Sequence, residues 1–142
     1  MSTSTKPPVW YWIVAVVALL WNALGIMAYL MRVYLTDEAM AELPQEQQVY
    51  IQNQPSWYLG VFALAVFGGT LGSLLLLLRK ALAYWVFIVS FVCVVVQWGY
   101  DLTVENSPAF DSSGTAMAIM IPLFSLALVL LSRSAKAKGW IG

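Results

Sequence analysis

Residues 57–100 read WYLGVFALAVFGGTLGSLLLLLRKALAYWVFIVSFVCVVVQWGY. Two apolar runs, neither holding a charge, are separated by one basic pair, Arg79-Lys80. A helix needs about 20 mostly apolar residues to cross the hydrocarbon core of a bilayer. Both runs meet that length, and the basic pair leaves room only for a tight turn. The stretch therefore reads as a transmembrane helical hairpin with spans at about 57–78 and 81–100.

The same reading extends outward on both sides. A further span runs from about Val9 to Met31, and a last and shortest one covers about 115–132. Of the 142 residues, 61% are apolar and 10% are charged, against about 25% charged in a soluble protein. Mean hydropathy is +0.78. One small core could not hide that much apolar surface from water. The sequence predicts an all-α integral membrane protein with a single domain over 1–142. Its architecture is a four-helix transmembrane bundle with a short helical outer loop, 32–56, between spans one and two. Ala23-Leu24-Gly25 loosely fits a signal-peptide cleavage site, but the apolar run continues to Met31 and predicts an uncleaved anchor.

Charge sorts sharply by position. Lys6, the Arg79-Lys80 turn, Arg133, Lys136 and Lys138 lie on one side of the predicted topology, and Arg32 is the only basic residue on the other. All seven acids, Asp37, Glu38, Glu42, Glu46, Asp101, Glu105 and Asp111, lie in the two remaining loops. Lys and Arg in short loops mark the cytoplasmic side. Both termini are therefore expected in the cytoplasm. Trp10, Tyr11, Trp12, Trp57, Tyr58, Tyr84, Trp85, Trp98 and Tyr100 flank the spans as interfacial anchors. Trp57 and Trp98 could alternatively stack on a sugar or lipid.

In the outer loop, Thr36 followed by Asp37 and Glu38 reads as an N-cap with acids in the first turn. Pro44 suits the first turn of a second helix, so two short helices are expected at about 37–43 and 45–53. Glu38, Glu42 and Glu46 fall at helical spacing, but Pro44 interrupts the stripe, and a solvated acidic face is expected rather than a cation site. In the third loop, Ser107-Pro108 and Ser112-Ser113-Gly114 are turn signals, with Ser113 or Thr115 as a cap.

Helices in lipid associate through close packing and interhelical hydrogen bonds. Span one carries Ala15, Ala18, Asn22, Gly25 and Tyr29 on one face, and span two carries Ala65, Gly68, Gly69, Gly72 and Ser73. Span three carries Ala83, Ser90, Cys93 and Gln97; span four carries Ala118, Pro122, Ser125 and Ser132. Gly68, Gly69, Gly72 and Ser73 are the packing candidates. Asn22, Ser90, Gln97 and Ser125 are the candidate intramembrane polar contacts, with Asn22 expected to bond a side chain or an exposed carbonyl of another helix, Gln97 and Ser90 first among them. Pro122 removes one helical hydrogen bond and predicts a kink.

No catalytic, cofactor-binding or metal site is legible. There is no histidine, the single cysteine is Cys93, and no phosphate loop or paired nucleophile and base occurs. A heme-binding redox subunit is disfavoured for the same reason. Zero net charge without a basic patch argues against nucleic acid as a partner. The chain is not expected to be an enzyme. Its expected partners are the lipid bilayer and either further copies of itself or another membrane protein.

Trp21-Asn22-x-x-Gly25, Pro55-Ser56-Trp57, Ala65-Val66-Phe67-Gly68-Gly69-Thr70-Leu71-Gly72 and Leu76-Leu77-Leu78-Arg79-Lys80 resemble a group of small four-span bacterial membrane proteins labelled "sugar transporter". The resemblance covers most of the chain. It implies an inner-membrane location and transport of a sugar or other small solute, and it carries over no defined binding residues. Secondary transporters commonly combine repeated units, and no inverted repeat relates spans 1–2 to 3–4. A transporting form would therefore be oligomeric or partnered. The alternative is a non-transporting accessory or scaffold protein that binds a membrane partner or lipid.

The orientation is testable in sealed cells. Cysteines placed at Gln47 and Ser112 should react with an impermeant thiol reagent added outside, and one at Ser134 should not. Labelling at Ser134 with Gln47 protected would reverse the topology.

Overall fold

A computed structural model describes residues 6–104 and 115–142. Six α-helices follow in order: α1 Val9–Val33, α2 Asp37–Ala41, α3 Gln45–Gln52, α4 Ser56–Leu77, α5 Leu82–Thr103 and α6 Thr115–Ala137. There is no strand among the described residues. The chain is all-α, and α1, α4, α5 and α6 are each long and apolar enough to cross a membrane. This is the architecture of a multi-pass membrane protein. Glu105, Asp111 and the turn signals of the third loop, Ser113 included, lie outside the described residues.

The spans alternate in direction, so the start of α1, the α4–α5 turn and the end of α6 share one end of the bundle, the terminal end. Helices α2 and α3 sit at the other, the loop end. Close helix pairs are consecutive: α1 with α4, α4 with α5, and α5 with α6. Helix α1 is not among the close neighbours of α6. The two meet through side chains, as where Trp21 stacks on Phe124 with centroids 5.0 Å apart.

Small residues on α4 set the tight contacts on both of its sides. Gly69, Gly72 and Ser73 are buried. A Cβ on Gly69 would collide with Oδ1 of Asn22 on α1, and one on Gly72 would lie 2.7 Å from the Phe87 ring on α5. On Gly25 of α1 it would lie 2.8 Å from Val66 of α4. Gly68 is less demanding, with Ser90 Cβ at 3.4 Å. The predicted stripe thus serves α1 and α5 of the same chain. Helix α5 is buried to the same extent as α4.

At the terminal end, the Tyr11 hydroxyl donates to the Leu76 carbonyl at 2.6 Å, joining α1 to α4. Helix α6 runs five residues beyond its predicted end, through Arg133 and Lys136. Two basic groups beside a helix C-terminus interact well with its dipole, and their stems can lie along apolar surface. Gly139 then takes a left-handed conformation, φ 76°, and turns the chain back. Trp140 packs edge-on against Trp10 and Tyr11 at 5.5 and 5.8 Å. Arg79, itself left-handed at φ 57°, donates from Nε to the Trp140 carbonyl at 2.8 Å. Gly142 exchanges backbone hydrogen bonds with Arg79 and Ala81. The α4–α5 turn and the chain's last described residues therefore brace each other.

The loop-end helices follow the predicted pattern. The Thr36 hydroxyl accepts from the Ala39 amide at 3.1 Å as the α2 cap. Pro44 is the N-cap residue of α3, and the break between α2 and α3 separates Glu38 from Glu46. Pro122 lies inside α6.

The glycines provide a graded test. Overpacking costs about 1–3 kcal/mol, so Gly72→Leu should leave little folded protein and Gly69→Ala should lower the unfolding temperature. Asn22→Ala should restore the Gly69→Ala protein, whereas Gly68→Ala and Leu76→Ile should stay near the parent. Fluorescence-detected gel filtration after heating in mild detergent reads all five. Equal survival of the Gly69, Gly72 and Leu76 variants would show that α4 does not pack as described.

Candidate functional site

The loop-end half of the bundle is hollow. A cavity of about 470 Å³ lies between the four spans, walled by Trp21, Asn22 and Gly25 of α1, Phe62, Ala65 and Val66 of α4, Ser90, Val94, Gln97 and Trp98 of α5, and Ala118, Ile121 and Ser125 of α6. Ligand pockets commonly hold about 300–1,000 Å³. The space exists because α1 leans on α4 and α6 on α5, which leaves the ring of helices loosely closed between α1 and α6. The Trp21–Phe124 stack marks the deep end of that flank. Above it, Leu24 (60% exposed) and Ile121 (39% exposed) line the cavity while also facing outward.

All four candidate polar residues, Asn22, Ser90, Gln97 and Ser125, border this one cavity. They do not bond one another. Asn22 Nδ2 donates to the Ala18 carbonyl of its own helix at 2.8 Å, which corrects the expected bond to Gln97 or Ser90. The side chain folds back one turn because Gly69 leaves the space for its amide. The Ser90 hydroxyl donates across to the Ala65 carbonyl of α4 at 2.6 Å. Trp98 lines the wall and donates from its indole to the Ala118 carbonyl at 2.8 Å, fastening α5 to α6. Trp57 does not line it and packs against Tyr58 and Tyr100. Gln97 and Ser125 have no hydrogen bond to any described residue, and both line the cavity.

The loop end is closed by a cluster that the sequence did not reveal. Asp101, only 8% exposed, accepts a hydrogen bond from the Tyr50 hydroxyl of α3. The Tyr58 hydroxyl of α4 lies 3.3 and 3.4 Å from the two Asp101 oxygens and 3.1 Å from the Tyr50 hydroxyl. Three elements thus converge on one carboxylate at the cavity's edge. Asp101 was expected to be a loop acid beyond a span ending at Tyr100, but α5 continues to Thr103. One signal was available: Ser90, Cys93 and Gln97 form a stripe, and Asp101 is its next step, four residues on. Tyr50 carried no signal, since nothing in the sequence directs the outer loop onto α5.

Burial, and then the bond to Asp101, push the Tyr50 phenol well above the ordinary tyrosine value. Tyr50 therefore remains a donor through neutral and mildly alkaline pH. The stabilisation it gives is complete below the unfolded value of about 10 and is lost as pH rises through the higher folded value.

No family model, no curated protein and no solved structure matches the chain. Chemically, the site offers an apolar chamber with an amide and a hydroxyl free to bind. Among the described residues it has no group of three His, Cys, Asp or Glu side chains placed to hold a metal ion.

Tyr50→Phe removes the phenolic donor that joins α3 to α5. A hydrogen bond to a charged group contributes about 1.5–3 kcal/mol, so the variant should unfold at lower temperature at neutral pH. Its deficit should shrink at strongly alkaline pH, where the parent loses the same bond. A deficit independent of pH would mean that the hydroxyl does not act through this bond.

Proposed function

We propose that the chain is a small transport-type protein of a bacterial inner membrane, with both termini cytoplasmic, that takes a small neutral solute into the cavity between its spans. The observation that carries this reading is the cavity itself. Polar side chains from α1, α5 and α6 border one chamber within helices long enough to cross a bilayer. The orientation draws on the sorting of Lys and Arg, and it makes the loop end the outer end. The resemblance to four-span proteins labelled "sugar transporter" supports transport, and the cavity supports the coarser solute class. The proposed role involves no catalysis.

Four spans enclose a chamber but no repeated path, so we propose a homo-oligomer or a membrane-protein partner. The sparse burial of α1, which covers only Tyr11, Ala15 and Ala18, supports the same point. It also favours the second reading, a non-transporting accessory or scaffold protein that holds a membrane partner or lipid.

Native mass spectrometry of the protein in mild detergent, followed by counterflow in proteoliposomes, separates the two. The transport reading expects a bound small molecule, lost in Ala28→Trp because Ala28 of α1 also lines the cavity, and saturable exchange of that molecule by the protein alone. A stoichiometric partner chain without exchange would establish the accessory reading instead.

A further inference from the structure

We infer that the cavity's occupant is an uncharged, mostly apolar molecule with few hydrogen-bonding groups, such as a long-chain alcohol, phenol or ketone, and that it enters sideways from the bilayer between α1 and α6. The inference rests on the cavity being the solute site.

Charge is the first discriminator. Among the described residues no Lys or Arg lines the cavity, and the carboxylate that does, Asp101, is engaged by Tyr50 and Tyr58. A charged occupant would lie unpaired in a medium of low dielectric, which is strongly unfavourable. The count of free polar groups is the second. The Ser90 hydroxyl, the Trp98 indole and the Asn22 amide N–H already donate to backbone carbonyls. What remains is the Gln97 amide and the Ser125 hydroxyl, since Asn22 Oδ1 is seated against Gly69. A free sugar carries a hydroxyl on nearly every carbon and would set most of them against Phe62, Val66 and Val94. Each unpaired hydroxyl would be penalised. A molecule with one polar end leaves none unpaired.

The route follows from the packing. Among the described residues Tyr50 and Tyr58, joined through Asp101, lie across the loop end, and the terminal half is filled by the core around Tyr11, Leu76, Phe87 and Leu128. Helices α1 and α6 are not close neighbours, and among the described residues nothing covers the flank between Leu24 and Ile121. On a membrane protein that flank faces lipid.

Photolabelling tests both parts. The probe is a medium-chain alcohol carrying a diazirine, incubated with the protein in phosphatidylcholine liposomes, and adducts are mapped by mass spectrometry. Expected are saturable adducts at cavity residues, competed by 1-decanol and not by glucose. Gln97→Leu should weaken saturable labelling about fivefold, the effect of losing one hydrogen bond of about 1 kcal/mol. Leu24→Trp, which changes an exposed residue and spares the core, should block it. Competition by glucose and not by decanol would overturn the inference while leaving the cavity as the solute site. Adducts spread over the lipid-facing surface, competed by neither, would overturn both. Saturable labelling unchanged in Leu24→Trp would overturn the sideways route.

Discussion

Gly69 has no side chain, and the Asn22 amide occupies the space a Cβ would take. That contact fixes how near α1 comes to α4, with Gly25 against Val66 repeating it about one turn along. On the other side of α4, Gly72 admits the edge of Phe87 and sets the approach of α5. Lipid tails are as apolar as leucine, so spans in a bilayer gain little by burying apolar surface in each other; close backbone approach and hydrogen bonds hold them together. The chain places these contacts on consecutive helices. Three tight joints in a ring of four leave the fourth side, between α1 and α6, loose. Glycines set two of those joints, and α6 joins α5 without one.

Polar groups in the spans obey a single constraint: without water, each must find a partner inside the protein. Most solve it locally. Thr70, Ser73, Asn22 and Ser132 bond carbonyls three or four residues back on their own helices. Tyr11, Ser90 and Trp98 instead reach across and tie neighbouring spans together. Gln97 and Ser125 do neither, and both open onto the cavity. Departures from local consistency tend to gather at functional sites. Here the departure and the empty space coincide.

The span positions and the all-helical class were legible because hydropathy and charge act over whole segments. Length and apolarity alone located α1, α4 and α5 to within three residues at each end, and Thr36 and Pro44 marked the starts of α2 and α3. The end of α6 was not legible, because Arg133 and Lys136 look like a stop in hydropathy but are good helix formers beside a helix C-terminus. Periodicity put Asn22, Ser90, Gln97 and Ser125 on inward faces. It could not say that Asn22 would bond backward to Ala18, since that depends on Gly69 of another helix. The fold-back of Trp140 onto Tyr11 and the convergence of Tyr50, Tyr58 and Asp101 were invisible for the same reason. Each joins residues distant in sequence through a geometry that no local pattern encodes.

Asp101 shows why the loop end is the fixed end of the cavity. A carboxyl group offers two acceptor oxygens, so two phenols can converge on it. An amide there would turn an N–H toward one of the donors. Through this group α3 is held to α5, and the Tyr50–Tyr58 contact holds it to α4. Arg32 adds the third tie: its guanidinium donates to the Ile51 carbonyl at 3.4 Å and to Gln54 Oε1 at 2.9 Å, binding the end of α1 to the end of α3. A cation there also suits the negative end of the α3 dipole. This accounts for the one basic residue that stands apart from the sorting of the others. The roof is therefore fastened to α1, α4 and α5 at once. Opening it from the aqueous side would separate polar groups that are already paired, whereas passage between α1 and α6 meets, among the described residues, apolar side chains such as Leu24 and Ile121. The energetically cheaper path is through the flank, which is the reason the chemistry of the bilayer, rather than that of water, sets what the cavity can receive.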